Sequence, residues 1–290
     1  MKNILLKEKF HLLGYFNLIE EIIKEYAGYL KNYLSRELES DWLVVFADAK
    51  IIEVKDKEKV KKKIILTAVG INMKGQKEIL GSEIYEGNET IEKWREFLLK
   101  LKNRGLTRVL LFVTDNFQGL TKLIKGLFPQ AMHQLCIVHL MRNGKLHLKK
   151  EDYKYFIEEI KRIEKIGDYE EAYSEFIKLT EWLKEKGYKH FSKELNKKAE
   201  NFVAFTRFPE EIRSRIKSTN ASENLHKELE RIKRNSGGYF QSMRILQCKW
   251  GIFINNLREN SWKNPEPKFK SVLPKLHNMF KKIYESEVII

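Results

Sequence analysis

The sequence contains little cysteine and no long apolar segment, and both shortages limit the kinds of protein it can be. Only two cysteines, Cys136 and Cys248, occur in 290 residues, which excludes a disulfide scaffold and a four-cysteine zinc module. A reducing compartment fits this cysteine content. No uninterrupted apolar run approaches the roughly 18 residues of a membrane span, and the N-terminus lacks the layout of a signal peptide. We therefore expect a cytoplasmic protein with no membrane partner.

Proline and glycine are also scarce, which argues against long disordered linkers. Five prolines and 15 glycines accompany 42% hydrophobic and 33% charged residues, a composition close to that of globular proteins although richer in charge. A chain of 290 residues exceeds the usual single domain of roughly 100–200 residues. The sequence therefore predicts one large domain with an insertion, or two domains.

Acidic residues are too few to balance the basic ones. Lysine and arginine number 55 and aspartate and glutamate 40, which leaves a formal net charge of +15. Cationic side chains release the counterions condensed on a phosphate backbone, so a nucleic acid is the leading partner, although charge alone does not distinguish DNA from RNA. A thermophile surface rich in Lys and Glu is the alternative, but such surfaces tend to balance their signs.

Apolar periodicity divides the first half of the chain into helical and strand segments. Residues 4–38 have helical spacing, and the segments that follow are strands at 43–54, 64–71 and 78–85, a helix at 90–102, a buried strand at 109–113, a helix at 118–128 and a fifth strand at 132–140. This order, βββαβαβ, predicts an α/β fold. The first three strands are expected to form an antiparallel meander.

The second half of the chain is helical in pattern. Residues 148–206 are rich in Glu and Lys, carry large apolar residues at three- and four-residue spacing and show no strand signal, which predicts an all-helical insertion. Another helix is predicted from Asn220 to about Arg234. The predicted organisation is a helical N-terminal segment at 1–40, an α/β core in two parts at 41–147 and 207–250, the insertion at 148–206, and a helical C-terminal segment at 251–290.

Two aspartates occupy unusual positions in the predicted strands. Asp48 lies in the most apolar strand, where a carboxylate is costly to desolvate unless it meets a metal, a cation or several donors; the alternative is a strand edge facing solvent. Asp115 ends the buried fourth strand, and ligands of open α/β sheets collect at the carboxyl ends of strands; the alternative is a helix N-cap. If strands one and four are neighbours, these carboxylates can hold one or two Mg²⁺ ions.

Glu223, near the start of the helix that begins at Asn220, is the third candidate metal ligand. Its alternative role is that of the glutamate in a capping box with Asn220 as the N-cap. Charged residues recur on one side of this helix at three- and four-residue spacing, namely Glu223, Lys227, Glu230 and Arg234. One helix face can therefore present a carboxylate to a metal and two cations to phosphates.

Cys136 and His139 have the spacing of half a zinc site. No second Cys/His pair lies nearby, and Cys248 is more than a hundred residues away, so structural zinc is disfavoured relative to a buried thiol and a hydrogen-bonded histidine. Nucleophilic Cys–His chemistry is a third possibility. Three residues along a strand place two side chains on opposite faces, which disfavours that chemistry.

A series of short motifs follows the predicted elements in order. They are Asp48-Ala49, Gly70-Ile71-Asn72 with Gly75 and Leu80-Gly81, Trp94-Arg95-Glu96-Phe97-Leu98, Arg104-Gly105-Leu106, Thr114-Asp115-Asn116-Phe117-Gln118-Gly119-Leu120, Phe128-Pro129, Gln134-Leu135-Cys136-Ile137-Val138-His139 with Arg142-Asn143, Phe208-Pro209 and Thr219-Asn220-Ala221-Ser222-Glu223-Asn224-Leu225. Together, over roughly residues 40–250, they closely resemble the mutator-type family of bacterial and archaeal insertion-sequence transposases.

This resemblance implies a ribonuclease H-like fold in which the helical insertion separates the second aspartate from the glutamate. It implies a DDE triad of Asp48, Asp115 and Glu223 that holds two Mg²⁺ ions, for which Mn²⁺ substitutes, and that cleaves DNA and transfers strands without a covalent enzyme intermediate. The implied partners are double-stranded DNA, at the transposon ends and the target, and a second copy of the chain in a homodimer. The implied place of action is the prokaryotic nucleoid.

Other residues are expected to support this site or to bind DNA. We interpret Cys136, His139, Arg142, Asn143 and Asn220 as neighbours of the active site or as DNA-positioning groups. DNA contacts are expected from Lys227, Arg231, Arg234 and Trp182. Trp182 resembles the tryptophan that related transposases place near the DNA, and packing in a helical core is the equal alternative.

Two features depart from the family pattern. Only about forty residues precede the first catalytic strand, whereas full members usually carry a longer N-terminal region with helical DNA-binding modules, so recognition of transposon ends is expected to be weakened or missing. The loop at 234–240 keeps the basic-then-glycine layout only loosely. The competing functions are a structure-selective nuclease of the same fold and a non-catalytic DNA-binding protein; three retained acids argue against the second.

Overall fold

A computed structural model describes residues 2–285 of the chain, with side chains described from residue 17 onward. The last five residues of the predicted C-terminal segment and Met1 lie outside this part. The elements are α1 (Lys2–Ser35), β1 (Asp41–Asp56), β2 (Lys59–Asn72), β3 (Lys77–Glu86), α2 (Ile91–Asn103), β4 (Arg108–Thr114), α3 (Leu120–Leu127), β5 (Met132–Leu135), α4 (Ile137–His147), α5 (Lys150–Ile163), α6 (Tyr169–Glu185), α7 (Lys189–Asn196), α8 (Ala199–Val203), α9 (Glu210–Ile216), α10 (Asn220–Arg234), α11 (Met243–Asn256), α12 (Pro267–Lys270) and α13 (Leu273–Tyr284).

The five strands form one mixed sheet in the order β3-β2-β1-β4-β5. β1, β2 and β3 pair antiparallel, as the meander prediction requires, and β4 and β5 continue the sheet parallel to β1. β1 and β4 are therefore neighbours. Such a central pair is buried on both faces, which accounts for the continuous apolar run at 109–113.

Helices cover both faces of the sheet. α2 and α3 pack Trp94, Phe97 and Leu120 on one face, against Val45 and Phe112. The opposite face forms a larger core with α10, α11, α13 and the helices of the second half of the chain. Within the described residues, no helix is both long enough and apolar enough to cross a membrane.

The prediction of a fifth strand reaching residue 140 is wrong. β5 ends at Leu135, Cys136 is the N-cap of α4, and the apolar residues that follow are helical. A short apolar run fits a buried strand and a buried helix equally well, so periodicity did not distinguish them. The strand stops where its partner stops, because Leu135 pairs with Thr114 at the end of β4.

Gln134 joins the helical second half of the chain to the sheet through side-chain hydrogen bonds. Its side chain is fully buried, accepts a hydrogen bond from the Phe205 backbone N at 2.7 Å and donates one to the Phe202 carbonyl oxygen at 3.0 Å. An unpaired buried amide would cost free energy, so both bonds fix this contact. The end of α8 is thereby held beside β5, and the chain enters α9 and α10 from there.

Replacing Gly251 with Ala is expected to destabilise the protein, because α1 passes directly over this residue of α11. A Cβ atom there would lie 2.3 Å from the Tyr26 carbonyl oxygen. Overpacking of this kind costs about 1–3 kcal/mol, which outweighs the gain of up to about 1 kcal/mol in helix propensity. Urea unfolding measures the change.

Gly126→Ala is the matched control for Gly251→Ala. Gly126 lies in α3, and a Cβ atom there would meet nothing within 4 Å. We expect this variant to gain up to about 1 kcal/mol in unfolding free energy. Equal effects of the two substitutions would contradict the packing of α1 on α11.

Candidate active site

Asp48 and Asp115 lie side by side at the end of the β1–β4 pair. Ala47 pairs with Thr114 in the parallel register, so the next residue of each strand is one of the two aspartates. Asp48 is 5% exposed in the central strand of the sheet, which rejects a solvent-facing strand edge. The N-cap of α3 is Gly119, so Asp115 is not a helix cap either.

Asp48 is held by two donors. Its Oδ1 accepts a hydrogen bond from the Ala49 backbone N at 2.9 Å, and its Oδ2 lies 3.1 Å from Nδ1 of His226 on α10. The other ring nitrogen of His226 lies 3.3 Å from Oγ1 of Thr67 on β2. His226 was not identified from the sequence.

Asp115 has an unsatisfied buried oxygen. Its Oδ1 has no hydrogen-bond partner within residues 2–285. Burial raises the pKa of Asp115 to about 6, and the charge of Asp48 acts in the same direction, whereas His139 and the Phe117 backbone oppose it. A cation between the two aspartates would satisfy the orphaned oxygen and remove the repulsion, and carboxylates are the ligands that hard divalent cations prefer.

Glu223 lies in the first turn of α10 beside two basic side chains. Its Oε1 is 3.5 Å from an Arg142 guanidinium nitrogen and 3.6 Å from Nε2 of His139. The N-cap of α10 is Thr219 rather than Asn220, and no side chain caps the helix. The capping box considered for Glu223 and Asn220 is therefore not formed, and Glu223 Oε1 instead faces the basic pair and accepts a hydrogen bond from Thr219 Oγ1 at 3.5 Å.

Cys136 and His139 lie on the same side, so the expectation of opposite faces is wrong. Cys136 caps α4 and His139 lies one turn later, which places both next to Glu223. In the part of the chain that the structure describes, only these three residues form a group of three or more His, Cys, Asp or Glu whose ligand atoms lie within 4.8 Å of one another. A structural zinc site takes four such ligands.

The thiol and the imidazole influence each other's charge. The Cys136 side chain is the main cause that raises the pKa of His139 to about 9, against the effect of burial. Burial acts to raise the pKa of Cys136, but His139 and Thr219 outweigh it and lower that pKa. The charges of Asp48 and Asp115 also raise the pKa of His139. His139 is consequently cationic at neutral pH.

Backbone and thiol contacts join chain segments that are far apart in sequence. The Cys136 backbone N donates to the Thr114 carbonyl oxygen at 2.8 Å, and the Ile137 N donates to the Lys217 carbonyl oxygen at 3.0 Å. Both the backbone N and Oγ1 of Thr219 donate to the Cys136 sulfur at 3.5 Å. These contacts place the start of α10, and with it Glu223, against the strand end that carries Asp115.

The oxygens of Asp48, Asp115 and Glu223 do not form one closed cage. Over residues 17–285, these three carboxylates are not among the groups with all ligand atoms within 4.8 Å. This arrangement suits Mg²⁺, which keeps several waters and takes one or two carboxylates together with substrate phosphates. In a two-metal site the acids divide between the ions.

Glu89, in the loop before α2, is a further carboxylate of this region that sequence reasoning missed. Its Oε1 accepts a hydrogen bond from Nε1 of the buried Trp94 at 2.7 Å. Burial raises the pKa of Glu89 to about 7; the Trp94 bond opposes this, and the charges of Asp115 and Asp48 add to it. Glu89 therefore belongs to the electrostatic environment of both aspartates.

The remaining predicted site residues surround this centre at varying distance. Asn143 is partly buried one turn after His139 on α4, and Asn220 is exposed at the first position of α10. The three cations predicted to bind DNA, Lys227, Arg231 and Arg234, are all exposed on α10. Among the described contacts, only Arg231 of these three forms an ion pair, with Glu228.

Trp182 lies on α6, in the helical half of the chain. Its ring packs on that of Tyr155, with centroids 4.4 Å apart, and against the larger core. No described contact joins Trp182 to the three carboxylates. The packing alternative thus accounts for its described surroundings, and its role in binding DNA stays a prediction.

Sequence signals for the two missed residues differ. His226 is a polar residue on the buried side of an amphipathic helix, one turn after Glu223 and next to Leu225 and Leu229. That position could have marked it. Glu89 follows Glu86, Gly87 and Asn88 in an ordinary polar loop and carries no signal.

The comparisons with known proteins agree on one kind of relative. Residues 16–263 match the family model described as "Transposase, Mutator family". The chain is 35% identical over 216 residues to the transposase for insertion sequence element IS905 of Lactococcus lactis, and 30% identical over 248 residues to that for ISRM3 of Rhizobium meliloti. It is also 30% identical over 194 residues to the transposase for IS256 in transposon Tn4001 of Staphylococcus aureus.

These matches cover most of this chain but a smaller share of the relatives. The three alignments span 73%, 84% and 67% of the chain. They span 54%, 60% and 49% of the respective relatives. The chain therefore corresponds to about half the length of the curated relatives it matches.

Proposed function

The chain belongs to the mutator family of transposases, and we propose that it holds two Mg²⁺ ions with Asp48, Asp115 and Glu223 and thereby cleaves and joins DNA strands. Mn²⁺ would substitute for Mg²⁺. The observation that carries this proposal is the pair of adjacent aspartates at the point where the pairing of β1 with β4 ends, of which one has a buried, unsatisfied oxygen. A divalent cation is the group whose chemistry fits such a donor set.

We also propose a ribonuclease H-like fold for the α/β part. Three features support it: the order β3-β2-β1-β4-β5, an acid within the central strand, and an acid directly after the neighbouring parallel strand. The helices between β5 and α10 separate Asp115 from Glu223 in sequence, and the contacts of Cys136 bring the two segments together again.

The metal ions, when bound, would activate the attacking water or DNA 3′-hydroxyl and stabilise the leaving oxygen. The chain's own basic groups would orient the DNA. His139 and Arg142 lie beside Glu223 and can contact phosphate oxygens near the reacting bond. Lys227, Arg231 and Arg234 are exposed on the same helix as Glu223 and can contact the backbone further away.

The proposed partner is double-stranded DNA, at transposon ends and at a target. The net charge of +15 supports a polyanionic partner. A homodimer is proposed because two transposon ends must be joined. With this function, the protein would act on the DNA of a prokaryotic cytoplasm.

Nicking of supercoiled plasmid tests the proposal. We expect the purified protein to nick with Mg²⁺ or Mn²⁺ and to leave 3′-hydroxyl ends, and to nick little with Ca²⁺, whose larger and more irregular coordination suits this geometry less. Strand transfer is then measured with a labelled oligonucleotide that ends in a 3′-hydroxyl.

Three results would contradict the proposal in different ways. Cleavage without strand transfer would indicate a structure-selective nuclease. DNA binding without cleavage in any metal would indicate a protein that only binds. Cleavage that persists in EDTA would exclude the metal-dependent centre.

A further inference from the structure

We propose that His226 is a positioning residue, which fixes the Asp48 carboxylate for metal binding by donating a hydrogen bond to it from α10. This inference rests on the proposed metal-binding function of Asp48. His226 does not itself touch the metal or DNA in this role; it acts through Asp48.

The geometry is that of a bridge across two paired strands. Asp48 of β1 and Thr67 of β2 are direct partners in the antiparallel register. The two ring nitrogens of His226 reach both of them, at 3.1 Å from Asp48 Oδ2 and 3.3 Å from Thr67 Oγ1. His226 and Asp48 are each 5% exposed and Thr67 is fully buried.

Hydrogen-bond accounting assigns the donor. An ionised carboxylate only accepts, so Nδ1 of His226 donates to Asp48, and the Thr67 hydroxyl can act as donor or acceptor toward Nε2. Each Asp48 oxygen then has one protein donor, Ala49 N on Oδ1 and His226 on Oδ2. Because a carboxylate offers about four lone-pair sites, both oxygens keep room for a cation while the group cannot rotate freely.

The same contact fixes α10 relative to β1. Two other polar pairs join these elements, Lys50 with Glu230 at 3.9 Å and Glu53 with Lys233 at 2.7 Å, but their side chains are 12–39% exposed. Partly exposed ion pairs contribute little. The buried His226–Asp48 contact therefore adds to the packing of Leu225 and Leu229 in holding α10 on β1, one turn from Glu223, and links the first and third carboxylates of the proposed triad.

H226Q and H226N each keep one of the two hydrogen bonds of His226 and remove the other. The amide of Asn can occupy the place of the histidine Nδ1, and the amide of Gln the place of Nε2. We expect H226Q, which keeps the Thr67 side only, to weaken Mn²⁺ binding about 10–100-fold, the usual cost of losing a group that orients a metal ligand. We expect H226N and Thr67→Val, which keep the Asp48 side, to change it less than about threefold.

Mn²⁺ binding is measured by calorimetry on the full chain without DNA, alongside thermal unfolding and the Mg²⁺ concentration that gives half-maximal nicking. Equal Mn²⁺ affinity in H226Q and the wild type would overturn the inference, as would equal losses in H226Q and H226N. If H226Q does not fold, a tenfold loss of affinity in H226N, which keeps the donor to Asp48, would overturn it.

Failure of the inference and failure of the proposed function give different results. A wild-type protein that binds no Mn²⁺ would overturn both. A wild-type protein that binds Mn²⁺ and an H226Q variant that binds it as tightly would overturn the role of His226 alone. If His226 were purely structural, H226Q and H226N would both have a lower unfolding temperature and an unchanged Mn²⁺ affinity. That result would also contradict the inference.

Discussion

Replacing Asp115 with Asn is expected to lower the rate of plasmid nicking roughly a thousandfold, because a metal centre contributes several kcal/mol of transition-state stabilisation and each ~1.4 kcal/mol is tenfold in rate. The amide has a similar size but lacks the charge that a divalent cation requires. DNA affinity should persist or rise, because a negative charge near the phosphates has been removed. Nicking rates and a DNA-binding titration measure the two effects.

Asp41→Asn is the matched control for this loss of activity. Asp41 lies at the start of β1, opposite Arg108, with which it forms an ion pair at 2.6 Å. It is the same residue type on the same strand pair, away from Asp115. We expect its substitution to leave nicking unchanged. Wild-type nicking by Asp115→Asn would remove this carboxylate from the proposed triad, and Asp48→Asn and Glu223→Gln test the other two.

The same Asp115→Asn substitution is expected to stabilise the metal-free protein above pH 6. In the folded state the pKa of Asp115 is raised from 3.8 to about 6 by burial and by Asp48. The folded protein therefore holds this proton more tightly than the unfolded chain, so the contribution of Asp115 to stability falls as the pH rises from about 4 to about 6 and then stays constant. Because asparagine cannot ionise, the variant does not lose this stability as the pH rises.

The expected size of the pH-dependent gain is about 3 kcal/mol, from the two pKa values and about 1.4 kcal/mol per unit. Urea unfolding in EDTA at pH 4.5, 5.5 and about 7.5 measures about 2 kcal/mol of this gain as the growing difference between variant and wild type, because roughly a third of it is already present at pH 4.5. Asp41→Asn again serves as the control, with no such growth expected. Mg²⁺ should stabilise the wild type more than the variant, and parallel pH curves for the two would show that Asp115 is not perturbed.

Activity and stability are thus expected to change in opposite directions at one residue. The carboxylates of Asp48, within β1, and Asp115, directly after β4, repel each other in the metal-free protein, and Glu89 adds a third negative group nearby when it is ionised. A structure optimised for stability alone would not place acids there. Perturbed acids of this kind are typical of functional sites, and here they support the proposed metal centre.

Periodicity was sufficient for the order of elements in the first half of the chain, because alternation and helical spacing are local properties of the sequence. It failed at residues 136–140, where a short apolar run fits a strand and a helix equally. Because of that error, Cys136 and His139 were expected on opposite faces of a strand, whereas they lie on the same side. The helix predicted from Asn220 to about Arg234 has these bounds in the structure, and only the alternative role of Asn220 as its N-cap is not found, because Thr219 holds that position.

The sequence predicted some residues of the candidate site better than others. Asp48 and Asp115 attracted attention because carboxylates in apolar strands are costly, and the sequence made their approach conditional on the pairing of β1 with β4. Glu223 is more than a hundred residues from Asp115, and the family resemblance supplied its role. Neither argument indicated Glu89 or His226.

By itself, the sequence determined the α/β character, the order of strands and helices up to β5, the surplus of positive charge and the family, since each depends on local pattern, composition or motif. The tertiary structure decided which strands are neighbours, that α4 turns Cys136 and His139 toward Glu223, and that His226 meets Asp48 and Thr67. Those facts depend on contacts between residues distant along the chain, and such contacts are fixed only when the helices pack on the sheet.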